Sequence, residues 1–382
     1  MHVLKNGTVV DADGVREADV AIEDGEIVAV GDVGRGDTAT DVSGQFVAPG
    51  LIDAHVHLMM DGRPDVATAQ GESDFDHAYI AAANLRKAVE AGVTTVRDLG
   101  ATGTLALDAG RAVAEGRLVG PRVLACGENV VMTGGHGHWF GREADGPDEA
   151  RKAAREQLKR GADVVKCMAT GGVLTEGAQT GAPELTYEEL AALVDAANTK
   201  GVPTAAHAHG KEGLLNAVDA GITSIEHGTF MDREAAEVMA AEGTYWVPTA
   251  AALNNIVENP DAGIPESAMA KANEAAEAFA SSFEHAEAAG VDIAMGTDAG
   301  TPFNYFDNIA DELGYIVEYG LSPETALEAA TVTAAELCGL DAVGKVAENY
   351  RADLVILEEN PAEDADAWQD PVTVFAAGDR VA

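Results

Sequence analysis

Basic residues are scarce in this chain: 24 Lys and Arg stand against 65 Asp and Glu, for a formal net charge of -41. That balance argues against a nucleic-acid partner, whose phosphates call for the opposite sign. A charge of this size repels itself and destabilises the compact state unless it is screened, and the Debye length falls to about 3 Å at 1 M salt. The acids are spread along the chain (Glu26, Asp74, Asp148, Glu188, Glu358) and form no single acidic tail. They read as a solvated acidic surface suited to a salt-rich cytoplasm. Cysteine is also scarce: Cys126, Cys167 and Cys338 are too few and too scattered for a disulfide framework, which fits a reducing compartment. No apolar run is long enough to cross a bilayer, and residues 1–7 lack the charged and apolar regions of a secretory signal. The expectation is a cytoplasmic protein with no membrane partner.

What is present suits a globular enzyme. At 382 residues, 47% of them hydrophobic, the chain can bury a large core. Residues 1–49 read as short strands with turns, and 341–382 have the same texture, with strands at 352–357 and 372–375. Neither end holds enough strands to close a sandwich alone, so the two are expected to pair into one small β-sandwich domain. Between them, residues 50–340 alternate apolar strand-like runs with alanine-rich helical runs, the pattern of βα units on a parallel sheet. Strands are predicted at the 50–58 stretch and at 93–99, 122–125, 163–168, 203–207, 224–227, 246–248 and 292–297. Eight parallel strands with helices outside give an α/β fold, a (β/α)8 TIM barrel. A doubly wound open sheet is the alternative, but no Gly-x-Gly-x-x-Gly turn follows the first strand.

The first of these strands carries His55-Val56-His57 after the Pro49-Gly50 junction. Alternate residues of a strand share a face, so both imidazoles point the same way, about 7 Å apart, and can bind one ion. One His-x-His pair is a weak signal, since two histidines on a strand equally serve as hydrogen-bonded core residues. Its force comes from the other strand ends, where barrel chemistry gathers. Strand four carries Lys166, strand five ends in His207, strand six in His227 and strand eight in Asp298. Each has a structural explanation alone, but six together on one mouth do not. His209 shares a strand face with His207 and competes with it.

These elements resemble the amidohydrolase superfamily over nearly the whole chain: Gly50-Leu51-Ile52-Asp53-Ala54-His55-Val56-His57, Val165-Lys166, Ala206-His207-Ala208-His209-Gly210, Ile225-Glu226-His227-Gly228 and Gly296-Thr297-Asp298. Gly171-Gly172-Val173 and Gly134-Gly135-His136-Gly137 make the chain similar to the branch of imidazolonepropionase-like proteins and metal-dependent prolidases. The resemblance implies a binuclear centre of two divalent ions, most often zinc. His55 and His57 would hold the more buried ion with Asp298, His207 and His227 the second, and an N-carboxylated Lys166 would bridge both. His207 rather than His209 stands where the strand-five ligand falls in the superfamily.

The implied reaction is hydrolysis of an amide bond by a metal-bridging hydroxide, with Asp298 shuttling the proton to the leaving nitrogen. His136, in the glycine-rich loop after strand three, is the candidate for oxyanion stabilisation. The long segment 170–183 is expected to line the pocket. Tyr245, Asn254, Phe303, Asn304 and Tyr305 are candidates for shaping specificity, and Arg142 for pairing with a substrate carboxylate. The substrate is expected to be a small molecule or a dipeptide-like compound, cleaved at an Xaa-Pro or other carboxyl-terminal amide bond. Phe230, where tyrosine suits binding of a free carboxylate, departs from that reading. The alternative is a cyclic amide, lactone, ester or organophosphorus substrate at the same centre. A non-catalytic scaffold would lack ligands, and none is lacking here. A homo-oligomer remains open.

Overall fold

The computed structural model describes residues 1–34, 36–66, 71–175, 179–260 and 266–382. Its centre is parallel α/β. Leu51–Val56, Val93–Asp98 and Arg122–Ala125 form one three-stranded parallel sheet, with Val93–Asp98 in the middle. A second parallel sheet runs from Arg142–Glu143 through Val130–Val131, Val165–Met168, Thr204–Ala208 and Ser224–His227 to Tyr245–Val247. Every residue of Leu51–Val56, Val165–Met168 and Thr204–Ala208 is buried. Strands covered on both faces read as continuous apolar runs, which is why the sequence marks them clearly.

The assigned ladders do not form one continuous ring. The eighth expected strand, 292–297, pairs only through an isolated bridge between Ile293 and Trp246. Its backbone is nevertheless bonded on both sides. Ala294 N–H donates to Trp246 O at 2.9 Å, and Ala54 N–H donates to Met295 O at 3.0 Å. Asp298, with φ 62°, takes the left-handed conformation that ends a ladder. Between the two sheets, Asp163 N–H donates to Ala125 O at 2.9 Å.

The helices start and stop where local chemistry dictates. Ser73 and Thr186 form capping boxes with Asp76 and Glu189 on the helices Asp74–Glu90 and Tyr187–Asn198. The glycines between a helix and the next strand or strand-like segment, Gly92, Gly161, Gly201, Gly221 and Gly290, all have positive φ, from 64° to 96°. The helical stretch near the end of the parallel region is broken at Thr331 into Pro323–Ala330 and Val332–Leu337. Three further helices are Leu105–Ala114, Ala250–Val257 and Asp311–Glu318.

Both ends of the chain share one six-stranded sheet. Leu354–Leu357 pairs antiparallel with Phe46–Pro49 and with Thr373–Ala376, and Phe46–Pro49 pairs parallel with Thr8–Asp11. A four-stranded sheet of Glu26–Gly31, Asp19–Glu23, His2–Lys5 and Thr38–Asp41 accompanies it. Leu4, Val9, Ile27, Val47, Leu354 and Phe375 belong to a buried cluster separate from the main core. Among the described residues no helix is long and apolar enough to cross a membrane.

Candidate metal centre

The carboxyl ends of the parallel strands meet at one pocket, lined at its floor by His55, His57, Lys166, His207, His227 and Asp298. One donor atom each from His207, His209 and His227 lie within 4.8 Å of one another, and the same holds for His55, His227 and Asp298. The His207 ring centroid stands 4.5 Å from that of His227 and 4.6 Å from that of His209. His227 and Asp298 both have left-handed backbones, with φ 71° and 62°. Such strain in non-glycine residues is held in place only by the surrounding structure and gathers at functional sites.

Hydrogen bonds fix the imidazoles. His57 Nδ1 donates to Gly100 O at 2.9 Å, and His55 Nδ1 is 2.9 Å from Glu226 Oε2. His227 Nδ1 is 2.7 Å from Thr249 Oγ1, whose own proton goes to Pro248 O at 2.6 Å, so the imidazole must donate. In the neutral tautomers set by these bonds, each Nε2 is left with a bare lone pair. The Nε2 atoms of His55 and His57 then face the same oxygen, Asp298 Oδ1, at 3.3 and 3.2 Å. Two lone pairs and a carboxylate aimed at one another are tolerable only around a cation. A single proton on one ring relieves one contact and leaves the other.

The charge states agree with that picture. Burial, with the nearby Lys166, holds His55 down at about 4. At His57 burial acts downward too, but Asp298 outweighs it and leaves the ring raised. Burial pushes His207 and His227 well down, and neighbouring imidazoles push them further. Asp298 is lowered despite its burial because His55 and His57 flank it. Burial lowers Lys166, shifting it toward the neutral amine relative to an exposed lysine, and the neutral amine is the form that reacts as a nucleophile. Asp298 Oδ1 and His207 Nε2 are buried without a hydrogen-bond partner among the described residues. Imidazole nitrogens and a carboxylate oxygen left bare together are a donor set that fits divalent zinc.

His207 and His209 are both buried and both belong to the three-histidine group. They differ in their bonds: His209 Nδ1 is 2.7 Å from Thr229 Oγ1, whereas His207 keeps a bare nitrogen. His136 lies against this group, its ring 4.4 Å from that of His207 and its Nδ1 2.8 Å from Thr175 Oγ1. Burial and the neighbouring His209 hold it at about 3, so it is a neutral ring. Of the segment 170–183, Val173, Leu174 and Thr175 line the pocket, while 176–178 lie outside the described residues.

Other expected residues stand elsewhere. Arg142 Nε pairs with Glu156 at 3.0 Å and is absent from the described lining. Asn254 accepts from the Tyr319 hydroxyl at 3.0 Å, and Asn304 donates to Thr297 O at 2.6 Å. Tyr245 packs beside the Ile52 and Val247 cluster. Tyr305 lies under Lys87, 6.0 Å from its Nζ, and Phe303 is not among the lining residues.

The sequence reading missed the carboxylates behind the site. Glu226 is buried and accepts from His55, from Arg97 Nη2 at 3.1 Å and from Ser224 Oγ at 2.5 Å. Burial opposes its charge, but Arg97 and His55 hold it at about 2. Arg97 Nε donates to Ala54 O at 2.6 Å. Asp53 accepts from Thr297 Oγ1 at 2.6 Å and from His55 N–H at 3.1 Å, tying the first ligand strand to the segment that ends in Asp298. The available signal was an arginine and two acids inside otherwise apolar strands.

Comparison with known proteins agrees with this geometry. The amidohydrolase family model matches residues 46–381, and the model of the urease alpha-subunit N-terminal domain matches 1–52. Ochratoxinase from Aspergillus niger is 32% identical over 360 residues, covering 85% of this chain and 73% of its own. The crystal structure of a Xaa-Pro dipeptidase with bound methionine is 32% identical and superposes with a TM-score of 0.93 over 99% of both chains. That of a prolidase complexed with N-methylphosphonate-L-proline is 29% identical, with a TM-score of 0.92 over 99% of this chain and 98% of its own. The bare ligand atoms and these matches lead to one assignment: the chain belongs to the amidohydrolase family and is a hydrolase acting on amide bonds.

Proposed function

We propose that the protein is a binuclear metal-dependent amidohydrolase that cleaves a peptide-like amide bond in a small substrate. The observation that carries this reading is the convergence of His55 Nε2 and His57 Nε2 on Asp298 Oδ1, with His207 Nε2 bare beside them. His55, His57 and Asp298 would hold one ion, His207 and His227 the other, and Lys166, carboxylated on its amine, both. A carbamate turns a buried cation into a two-oxygen anion, which removes the cost of placing an ammonium among metal ions. When bound, two zinc ions would acidify a water and polarise the amide carbonyl.

The chain's own residues do the rest. Asp298 takes the proton of the attacking water and delivers it to the leaving nitrogen as the C–N bond breaks and a C–O bond forms. His136, neutral and donating through the nitrogen that Thr175 does not engage, supports the developing charge on the carbonyl oxygen. Glu226, Gly100 and Thr249 keep the imidazoles in the tautomers that leave Nε2 free. The same reading treats the parallel sheets as one (β/α)8 barrel over 50–340, with 1–49 and 341–382 as one β-sandwich domain. The ochratoxinase and prolidase relatives support amide cleavage, including Xaa-Pro bonds. Hydrolysis of a cyclic amide, lactone, ester or organophosphorus bond is the second reading, because the same centre can activate water toward any of them.

Metal analysis after growth with zinc, joined to an assay of dipeptides beside lactones and aryl esters, tests the proposal. About two ions per chain and cleavage of amides, both lost in Asp298→Asn, are the expected results. Well under one ion per chain, with activity untouched in Asp298→Asn, would sink it.

A further inference from the structure

Beyond the histidines, Lys166 and Asp298, the described lining of the pocket is largely apolar and includes Met60, Trp139, Phe140, Val173, Leu253 and Ile256. The two wall hydroxyls are engaged: Thr301 Oγ1 donates to Asp298 O at 2.7 Å, and Thr175 Oγ1 meets His136 Nδ1 at 2.8 Å and the Gly137 N–H at 3.3 Å. Among the described lining residues no arginine is present, and the single lysine is Lys166 on the floor. The segments outside the described residues at 67–70, 176–178 and 261–265 contain no lysine or arginine.

Nearby cations are engaged as well. Arg63, just past the first ligand strand, is held by Asp61 at 2.5 Å and Glu72 at 2.6 Å. Lys271 reaches toward the pocket only as far as the Thr175 carbonyl, at 3.4 Å. A substrate carboxylate held against these walls, away from the metal centre, would therefore lose its water against hydrocarbon without gaining a counter-ion from the described lining, which is far costlier than burying an uncharged group of the same size.

We infer that the pocket selects uncharged, apolar amides, such as capped peptides and aryl or alkyl amides, over compounds bearing a free carboxylate next to the scissile bond. The inference rests on the amide-hydrolase reading and narrows its substrate class, placing Xaa-Pro dipeptides, which carry such a carboxylate, among the disfavoured compounds. It follows from the juxtaposition of a largely apolar wall, with no cation among its described residues, and a floor built of candidate metal ligands.

The test compares N-benzoyl-phenylalanine N-methylamide with N-benzoyl-phenylalanine, which differ only in that carboxylate, on the zinc-loaded full chain. Benzoate release should give a kcat/KM at least about 100-fold higher for the neutral compound, since a hydrophobic pocket already discriminates by about that factor against a smaller polar addition. Equal rates, or faster cleavage of the acid, overturn the inference. Should neither compound be cleaved while zinc is bound, N-benzoyl amides of phenylalanine are not substrates, and the preference is read instead from calorimetric binding. At least tenfold tighter binding of the neutral compound supports the inference, on the order of 1.4 kcal/mol, and equal or tighter binding of the acid overturns it. Ile256→Arg, with Leu253→Lys as a second variant should the first not fold, should move the preference toward the acid. If the wild type prefers the acid and Lys271→Met abolishes that preference, Lys271 is the counter-ion and the inference is wrong.

Discussion

Replacing Glu226 with glutamine is the most informative single perturbation of this structure. The carboxylate is fully buried and accepts from His55, Arg97 and Ser224. Glutamine keeps the shape, removes the charge, and turns one acceptor into a donor. Arg97 is then a buried guanidinium without its carboxylate. Removing one partner of a buried pair costs about 3–5 kcal/mol, most of it the penalty on the charge left behind. Denaturant titration of the metal-free protein, at a fixed high KCl concentration, should show that loss near neutral pH. The pH dependence carries a sign. Glu226 is held at about 2, below its ordinary 4.5. Its contribution is complete above about 4.5 and is lost as pH falls toward 2, so the gap between wild type and variant should close on acidification. Arg97→Met in the same chain should recover part of the stability, because the orphaned charge is gone. Metal affinity should still fall by about 10–100-fold in the double variant, since His55 Nδ1 has lost the carboxylate that orients it. A Glu226→Gln variant within about 0.5 kcal/mol of wild type, or a double variant as unstable as the sum of the singles, would refute the reasoning.

Four further outcomes follow from the same structure. Gly296→Ala should cost about 1–3 kcal/mol by denaturant titration and lower zinc content, because an added Cβ would sit 2.4 Å from Val247 Cγ1 and 2.9 Å from the His55 backbone nitrogen. Lys166→Met should fold with at least wild-type stability in the metal-free state, having removed a buried amine, yet retain well under two zinc ions per chain by elemental analysis. Thr249→Val should cut zinc affinity by about tenfold, measured by competition with a chelator, because His227 loses the acceptor that fixes its tautomer. The melting temperature should rise steadily with KCl, since screening relieves a net charge of -41, and a flat profile from low to high salt would contradict that account.

Much of the fold was legible because buried parallel strands leave apolar runs and helix ends leave caps and glycines. Leu51–Val56, Val165–Met168 and Thr204–Ala208 could be placed for that reason. The segment 292–297 read as a strand but is held by isolated bonds, since left-handed Asp298 and close-packed Gly296 interrupt a ladder that hydropathy alone would extend. The helix Ala250–Val257 was hidden because its N-terminal amides are satisfied by Glu312, from sixty residues away, and no capping side chain stands beside it.

The same division holds at the site. The sequence alone determined which ligand types the chain owns and on which strands they ride, because alternation along a strand is a local property: His55 and His57 share a face wherever that strand goes. Only the tertiary structure decided what those ligands are worth. The tautomers of His55, His57 and His227 depend on Glu226, Gly100 and Thr249, which come from other strands and loops. The commitment of Arg63 and Arg142 to carboxylates, and the apolar wall that this leaves, likewise follow from which distant residues are brought within a hydrogen bond's reach. Hydrogen bonds and desolvation act over a few ångströms of space, and sequence separation says little about that distance.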